Sequence, residues 1–311
     1  MSLLVTGTIG IDTVETPQGR ADDVLGGSAA YFAFAAALTQ PRWSAERTLR
    51  PVRLVGVVGE DFPQAYVELF GERPIDTSGL EIRSGAKTFR WHGRYLDDMN
   101  QRESVSTELN VVGEAPPAIP DSFLDSDYVF LANTHPTVQR EFIGRLQSPK
   151  LIVCDTMDLW IAEFRDELLK TLGMVGGVVL NDGEARMLTG RSDLIAAGRA
   201  VLDLGPRLVV VKKGEHGAML VTSEDVVVMP AYPSPAVKDP TGAGDSFAGG
   251  MMAYLAAVDR TDMDALKSAV ARGTCTASIT IEDYSLAALR RADVQVLESR
   301  LARFRAMLTF E

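Results

Sequence analysis

The sequence predicts an α/β fold built on an open, mostly parallel sheet with helices on both faces. Three observations carry this. Short valine, leucine and isoleucine runs recur and end in glycine or polar residues, as strands buried on both faces do. Segments with helical spacing alternate with them, which implies right-handed crossovers and a ligand site outside the carboxyl ends of the strands. From Gly244 onward the pattern is mostly helical.

The first strand is read in "LLVTGTI", and a helix follows over 28–38. That helix belongs to "SAAYFAFAAAL", a run about half the ~20 residues needed to cross a bilayer, so it reads as buried. "RLVGVVG" leads to a helix over 62–70, "DYVFLAN" to one over 137–146, and "KLIVCDT" to one over 159–172. "GGVVLN" precedes helices over 183–188 and 194–204, and "RLVVVKK" is the last strand of the series. Two segments depart from this layout. Residues 11–25 and 85–112 alternate apolar or aromatic with polar residues and read as exposed antiparallel strands. They form a small sheet at one edge, either a lid over a site or a pair of solvated hairpins. "EAPPAIPDS" is a linker returning to the main sheet. No internal repeat is present, and residues 1–311 are expected to form a single domain carrying these lid segments.

Charge and cysteine usage narrow the function classes. With 42 acidic against 31 basic residues the net charge is −11, which opposes a nucleic-acid or anionic-membrane surface but not a local site for a small anion. Cys154 and Cys275 match no CxxC or metal spacing, and His92, His135 and His216 are scattered, so a reduced, cytoplasmic protein without zinc is expected. No secretory signal is read at the start of the chain.

The chemistry concentrates in "KDPTGAGDSFAGG", residues 238–250. Asp239-Pro240 makes a turn, Gly242-Ala243-Gly244 frees backbone amides, and the chain runs straight into a helix. Unpaired amides at a positive dipole end attract phosphate. Asp245 then sits in the first turn. It either complements the dipole, worth ~0.3–1 kcal/mol, or takes a proton from an incoming hydroxyl. A dipole partner needs no Gly-Ala-Gly run beside it, which favours the second role.

"DPTGAGDSFAGG" resembles the C-terminal signature of the ribokinase-like (PfkB) carbohydrate kinase family. The resemblance covers most of the chain: Gly26-Gly27 in "LGGSAAYFAFAAAL", "VGVVGEDFP" at 55–63, "NDGEAR" at 181–186 and "KKGEHGA" at 212–218 follow in the family's order. It implies a ribokinase-like three-layer sandwich, with a central, mostly parallel sheet and a small β lid. The implied activity is ATP-dependent, Mg²⁺-assisted phosphorylation of a hydroxyl on a sugar or nucleoside. Asp245 matches the family's catalytic base, and Gly242, Ala243 and Gly244 its anion hole, with Thr241 beside them at the nucleotide. No GxxxxGK[ST] occurs, which opposes a P-loop kinase.

Asn181 and Glu184 match an N-x-x-E block that holds the Mg²⁺ and phosphate region through water, although the same spacing is a capping box. Lys213, Gly214 and Gly217 approach the nucleotide or form a hairpin turn. Asp12 matches an early acidic residue that binds acceptor hydroxyls, and Gly26 and Gly27 allow close approach of the substrate. Where many sugar kinases read Gly-Gly-x-x-Ala-Asn, this chain has Tyr31 in the last position, which sits poorly with a ribose- or fructose-like acceptor. Tyr31, Phe89 and Trp91 could stack a base, so a nucleoside kinase stands as the alternative to a sugar kinase. A non-catalytic nucleotide- or sugar-binding protein is opposed by the intact 242–245 block, and a dinucleotide oxidoreductase by "GTIGID", which is not G-x-G-x-x-G. A monovalent-cation requirement is left open. The unpaired edges of 11–25 and 85–112 are expected to support a homodimer through the lid.

Overall fold

The computed structural model describes residues 1–39 and 51–309; residues 40–50 and 310–311 of the predicted domain lie outside the described residues. Its strands are, in chain order, β1 (Leu3–Thr6), β2 (Gly10–Thr16), β3 (Gly19–Gly26), β4 (Val52–Gly59), β5 (Ile75–Arg83), β6 (Phe89–Tyr95) and β7 (Arg102–Glu108). They continue as β8 (Tyr128–Leu131), β9 (Leu151–Asp155), β10 (Gly177–Asn181), β11 (Leu208–Lys212), β12 (Ala218–Thr222) and β13 (Val226–Met229). Nine of them form the main sheet in the order β13-β12-β11-β10-β9-β8-β1-β4-β5. Every pairing from β5 to β11 is parallel, and β12 and β13 add an antiparallel edge.

The unbroken apolar runs follow from burial on both faces. Leu3, Val5, Leu208 and Val210 point into one core, and Leu4, Val209 and Val211 into the other. The first core is covered by helices Ser28–Thr39, Ala243–Val258 and Met263–Thr280. Helices Pro136–Ile143, Arg165–Leu172, Asp182–Thr189 and Leu194–Leu202 cover the second. All twelve residues of Ser28–Thr39 are buried, as its composition predicts. Among the described residues no helix is long and apolar enough to cross a membrane, and both cysteines are buried and free.

β2, β3, β6 and β7 form the second sheet, in the order β3-β2-β6-β7. The expectation of antiparallel strands throughout is corrected: β2–β3 and β6–β7 are antiparallel, but the central β2–β6 pair is parallel. β1 and β5 belong to the parallel part of the main sheet, and β2 and β6 follow directly from them. Period-two alternation identifies such strands but not the direction of a partner far away in sequence.

Three other differences are local. β5 was not expected, because Asp76, Thr77 and Ser78 interrupt its apolar pattern at the sheet edge. The sequence offers a hairpin turn at Gly217, which joins β11 to β12, but does not predict β12 and β13 as strands. The helix expected over 159–172 is two helices, Asp158–Glu163 and Arg165–Leu172, broken where Phe164 adopts φ −130°, ψ 34°.

Glycine sets how closely the central helices approach. A β-carbon on Gly249 would lie 2.5 Å from the Phe32 carbonyl oxygen and 2.9 Å from Ala35 Cβ. Gly249→Val should therefore lower stability by about 1–3 kcal/mol through overpacking. Urea unfolding, with an unchanged m-value, measures this; native stability in that variant would contradict the close packing.

Candidate active site

Two cavities open at the carboxyl ends of the main-sheet strands, where α/β folds bind ligands. The larger, of about 910 Å³, runs beneath the small sheet past Thr6, Asp12, Asp155, Asn181 and Asp245. The smaller, of about 470 Å³, lies between Gly214–Gly217, the segment 231–237 and helices Ala243–Val258 and Met263–Thr280. Lys212, Pro240 and Gly244 line both.

The meeting point is built by the 239–245 turn. The buried Asp239 carboxylate accepts the Thr241 N–H at 2.8 Å, and the Pro240 carbonyl accepts the Ala243 N–H at 3.2 Å. Gly242 caps the helix with φ 73°, a left-handed conformation that a side chain would strain. A β-carbon there would also lie 2.2 Å from the Tyr31 ring. At Gly244 a β-carbon would lie 2.8 Å from Lys212 Nζ. The first helical turn is thus held between an aromatic ring and an ammonium group. Thr241 Oγ1 hydrogen-bonds Tyr95 of β6 at 3.2 Å, which ties the small sheet to the turn.

Charge around this point is tightly balanced. Lys212 Nζ donates to Asp155 Oδ2 at 3.3 Å. Burial pulls the Lys212 pKa down, but Asp155, Glu184 and Asp245 outweigh it and hold the ammonium above its usual value. Burial pushes Asp245 up to about 7, with Asp155 adding to the rise and Lys212 and Arg102 opposing it. Glu184 is also pushed up to about 7, first by burial, against Lys212. Across the cavity, burial takes Asp12 to about 7, against the Gly27 backbone amide.

The predicted residues are distributed as follows. Asp12, Gly27, Tyr31, Phe89, Trp91, Asn181, Glu184, Thr241, Gly242, Gly244 and Asp245 all line the larger cavity. Gly214, Gly217 and Ala243 line the smaller one. Gly26 lines neither; a β-carbon there would strike the Asp12 carboxylate at 1.9 Å, so it makes room for that side chain. Lys213 lines neither cavity, and its N–H closes the turn onto the Gly217 carbonyl at 2.7 Å, while its neighbour Lys212 lines both. Asn181 and Glu184 form a full capping box, with reciprocal bonds of 2.8 and 2.6 Å. Tyr31 is 1% exposed, its ring against Gly242 and its hydroxyl without a partner among the described residues.

Lys212, Asp155 and Arg102 line the larger cavity without being among the residues the sequence predicts. A polar residue at the last position of a buried strand was the available signal for the first two. Arg102 lies on β7, near the end of a long polar stretch with nothing in its local spacing to distinguish it. Asp155 and Glu184 offer hard oxygen donors beside the helix mouth. Among the described residues, no group of three or more acidic, histidine or cysteine side chains could hold a metal ion alone. That donor set fits Mg²⁺, which keeps waters and phosphate oxygens in its shell.

The model of the pfkB family carbohydrate kinases matches residues 126–291. A cytidine kinase of Thermococcus kodakarensis is 33% identical over 261 residues, covering 81% of this chain and 88% of its own. The nucleoside kinase of Methanocaldococcus jannaschii, an archaeal member of the ribokinase family, superposes with a TM-score of 0.75 at 18% identity, over 97% of this chain and 99% of that one. Aminoimidazole riboside kinase of Salmonella enterica, solved with aminoimidazole riboside and an ATP analogue, gives 0.75 at 17% identity, over 97% and 100%. The two structures share the ribokinase-like fold that the sequence predicts.

The raised carboxyl groups make ligand-free stability depend on pH. The ordinary pKa is 3.8 for Asp12 and Asp245 and 4.5 for Glu184, and each is held near 7 in the fold, so the native state binds these protons more tightly than the unfolded chain does. The stability they contribute is full below about 4 and is lost as pH rises through about 7. The Tm of the ligand-free protein should therefore rise as pH falls from 8 to 5.5, and the slope should be shallower in Asp245→Asn. A Tm that is flat or rises with pH over that range would contradict the burial of these charges.

Proposed function

The chain belongs to the pfkB family of carbohydrate kinases and is a phosphotransferase with an alcohol group as acceptor, and we propose that the alcohol is a ribose hydroxyl of a nucleoside. The observation that carries this is the pair of cavities meeting at Lys212, Pro240 and Gly244. ATP takes the smaller cavity, near Gly214 and Gly217, and the acceptor takes the larger. Its volume of about 910 Å³ and its aromatic walls exceed what a lone pentose needs. The kinship with a cytidine kinase over 88% of that protein supports the same acceptor class.

Asp12 and the Gly27 backbone hold sugar hydroxyls. Asp245 accepts the proton of the attacking hydroxyl; a weak base suffices because the phosphoryl transition state is loose. The Ala243 amide is engaged by the turn, so the Gly242 and Gly244 amides and the Lys212 ammonium meet the charge on the moving phosphoryl group. Arg102, on the small sheet, adds positive charge from above. Asp155 and Glu184 would hold Mg²⁺ through water, and the ion supplies charge neutralisation on the ATP phosphates. A free sugar would use the same Asp12 and Asp245 but leave the aromatic walls without a partner. The whole chain acts as one cytoplasmic catalytic domain with the small sheet as its lid. A homodimer forms through the lid edges, which light scattering at tens of micromolar tests: a monomer there removes that assembly.

The function is tested by ADP release from Mg·ATP with nucleosides, sugars and polyols. Cytidine or a related nucleoside should give the highest kcat/KM, and excess EDTA should abolish turnover. Asp245→Asn should lower kcat about 10²–10⁴-fold while ATP affinity stays near native. Near-native turnover in that variant, with chemistry rate-limiting, would overturn the assigned base.

A further inference from the structure

The larger cavity has one wall that phosphoryl transfer does not use. It is made by Asn133 and His135, just past β8, and by Trp160 and Phe164, around the helix Asp158–Glu163. His135 meets Phe164 edge-on at 4.5 Å between centroids and Trp160 at 5.2 Å. Phe164 is nevertheless 38% exposed, so the aromatic surface is open toward the cavity it lines.

The polar groups on this wall are specifically oriented. Trp160 Nε1–H donates to Asn133 Oδ1 at 2.7 Å. An indole N–H can only donate, so the Asn133 amide is fixed with its oxygen toward Trp160. Among the described residues its NH₂ hydrogen-bonds only the Met157 thioether, at 3.1 Å, a weak acceptor that leaves donor capacity over. His135 Nδ1 accepts the Thr137 N–H, so the neutral ring carries its proton on Nε2. Thr156, 4% exposed and on the same cavity, has a buried hydroxyl with no partner among the described residues. Buried polar groups are ordinarily hydrogen-bonded, to protein, ordered water or a ligand.

We infer that this wall is a base-binding subsite that takes a planar heteroaromatic ring presenting adjacent carbonyl-oxygen and ring-nitrogen acceptors, cytosine rather than uracil. The inference rests on the nucleoside reading above. Asn133 NH₂ and His135 Nε2–H are both donors. Cytosine offers two neighbouring acceptors to them, whereas uracil places an N–H donor at the ring nitrogen and leaves one of the pair unmatched. Trp160 and Phe164 supply the apolar face, and the Trp160 indole N–H sets which way Asn133 reads.

The test uses the full chain, with cytidine, uridine and Mg·ATP as probes. Trp160→Ala should weaken cytidine binding by about tenfold or more, the loss of a stacking surface, with ATP affinity within about twofold of native. Asn133→Asp still accepts the Trp160 N–H but offers acceptors only, so the cytidine-to-uridine ratio of kcat/KM should fall about tenfold or more. Trp160→Phe keeps an aromatic wall and loses the N–H, and should relax that ratio while retaining more cytidine affinity than Trp160→Ala. Unchanged cytidine affinity in Trp160→Ala, an equal loss for cytidine and ATP, or an unchanged base ratio in Asn133→Asp and Trp160→Phe would overturn the subsite. A wild-type enzyme that phosphorylates sugars but no nucleoside overturns the nucleoside reading itself, and the subsite with it.

Discussion

The site depends on a helix N-terminus held between a buried aromatic ring and an ammonium group. A β-carbon on Gly242, already at φ 73°, would lie 2.2 Å from the Tyr31 ring, and one on Gly244 would meet the end of the Lys212 side chain at 2.8 Å. Tyr31 comes from a wholly buried helix and Lys212 from the end of an interior strand, so one helical layer and the main sheet converge on one helical turn. The position of that turn decides where the two cavities meet. Its positive dipole end and free amides then face that junction, an arrangement that suits a phosphate group.

Once the turn is in place, the charges follow from burial. Asp155, Glu184 and Asp245 surround Lys212, and the ammonium stays charged because they offset its desolvation. The same burial leaves Asp245 near 7, the range in which a carboxylate can exchange a proton near neutral pH. Asp239, at the base of the turn, is bound by Thr241 and so serves the backbone geometry. Asp12 approaches from the opposite side on β2, and Gly26 makes space for its carboxylate. The small sheet closes this arrangement through Tyr95 and brings Arg102 with it.

The strands buried on both faces were legible in the sequence because their side chains have no polar side to show. The 238–250 stretch was legible because glycine, proline and aspartate each have a local backbone role there. What stayed hidden depends on relations between distant segments. The parallel β2–β6 pair, the edge strand β5 and the cavity wall from Asn133 to Phe164 are set by which elements become neighbours, not by local periodicity. Lys212 and Lys213 differ by one position, and only the hairpin geometry at Gly217 shows which of them reaches the cavities. Asn181 and Glu184 combine a capping box with a place on the cavity wall, so their spacing could not separate the two roles.

The most direct test of the account is a crystal structure with a non-hydrolysable ATP analogue, Mg²⁺ and cytidine bound together. The account predicts the γ-phosphate at the Gly242 and Gly244 amides and Lys212, with a ribose hydroxyl about 2.6–3.2 Å from the Asp245 carboxylate. A γ-phosphate bound away from that turn, or an Asp245 carboxylate out of reach of every acceptor hydroxyl, would contradict it.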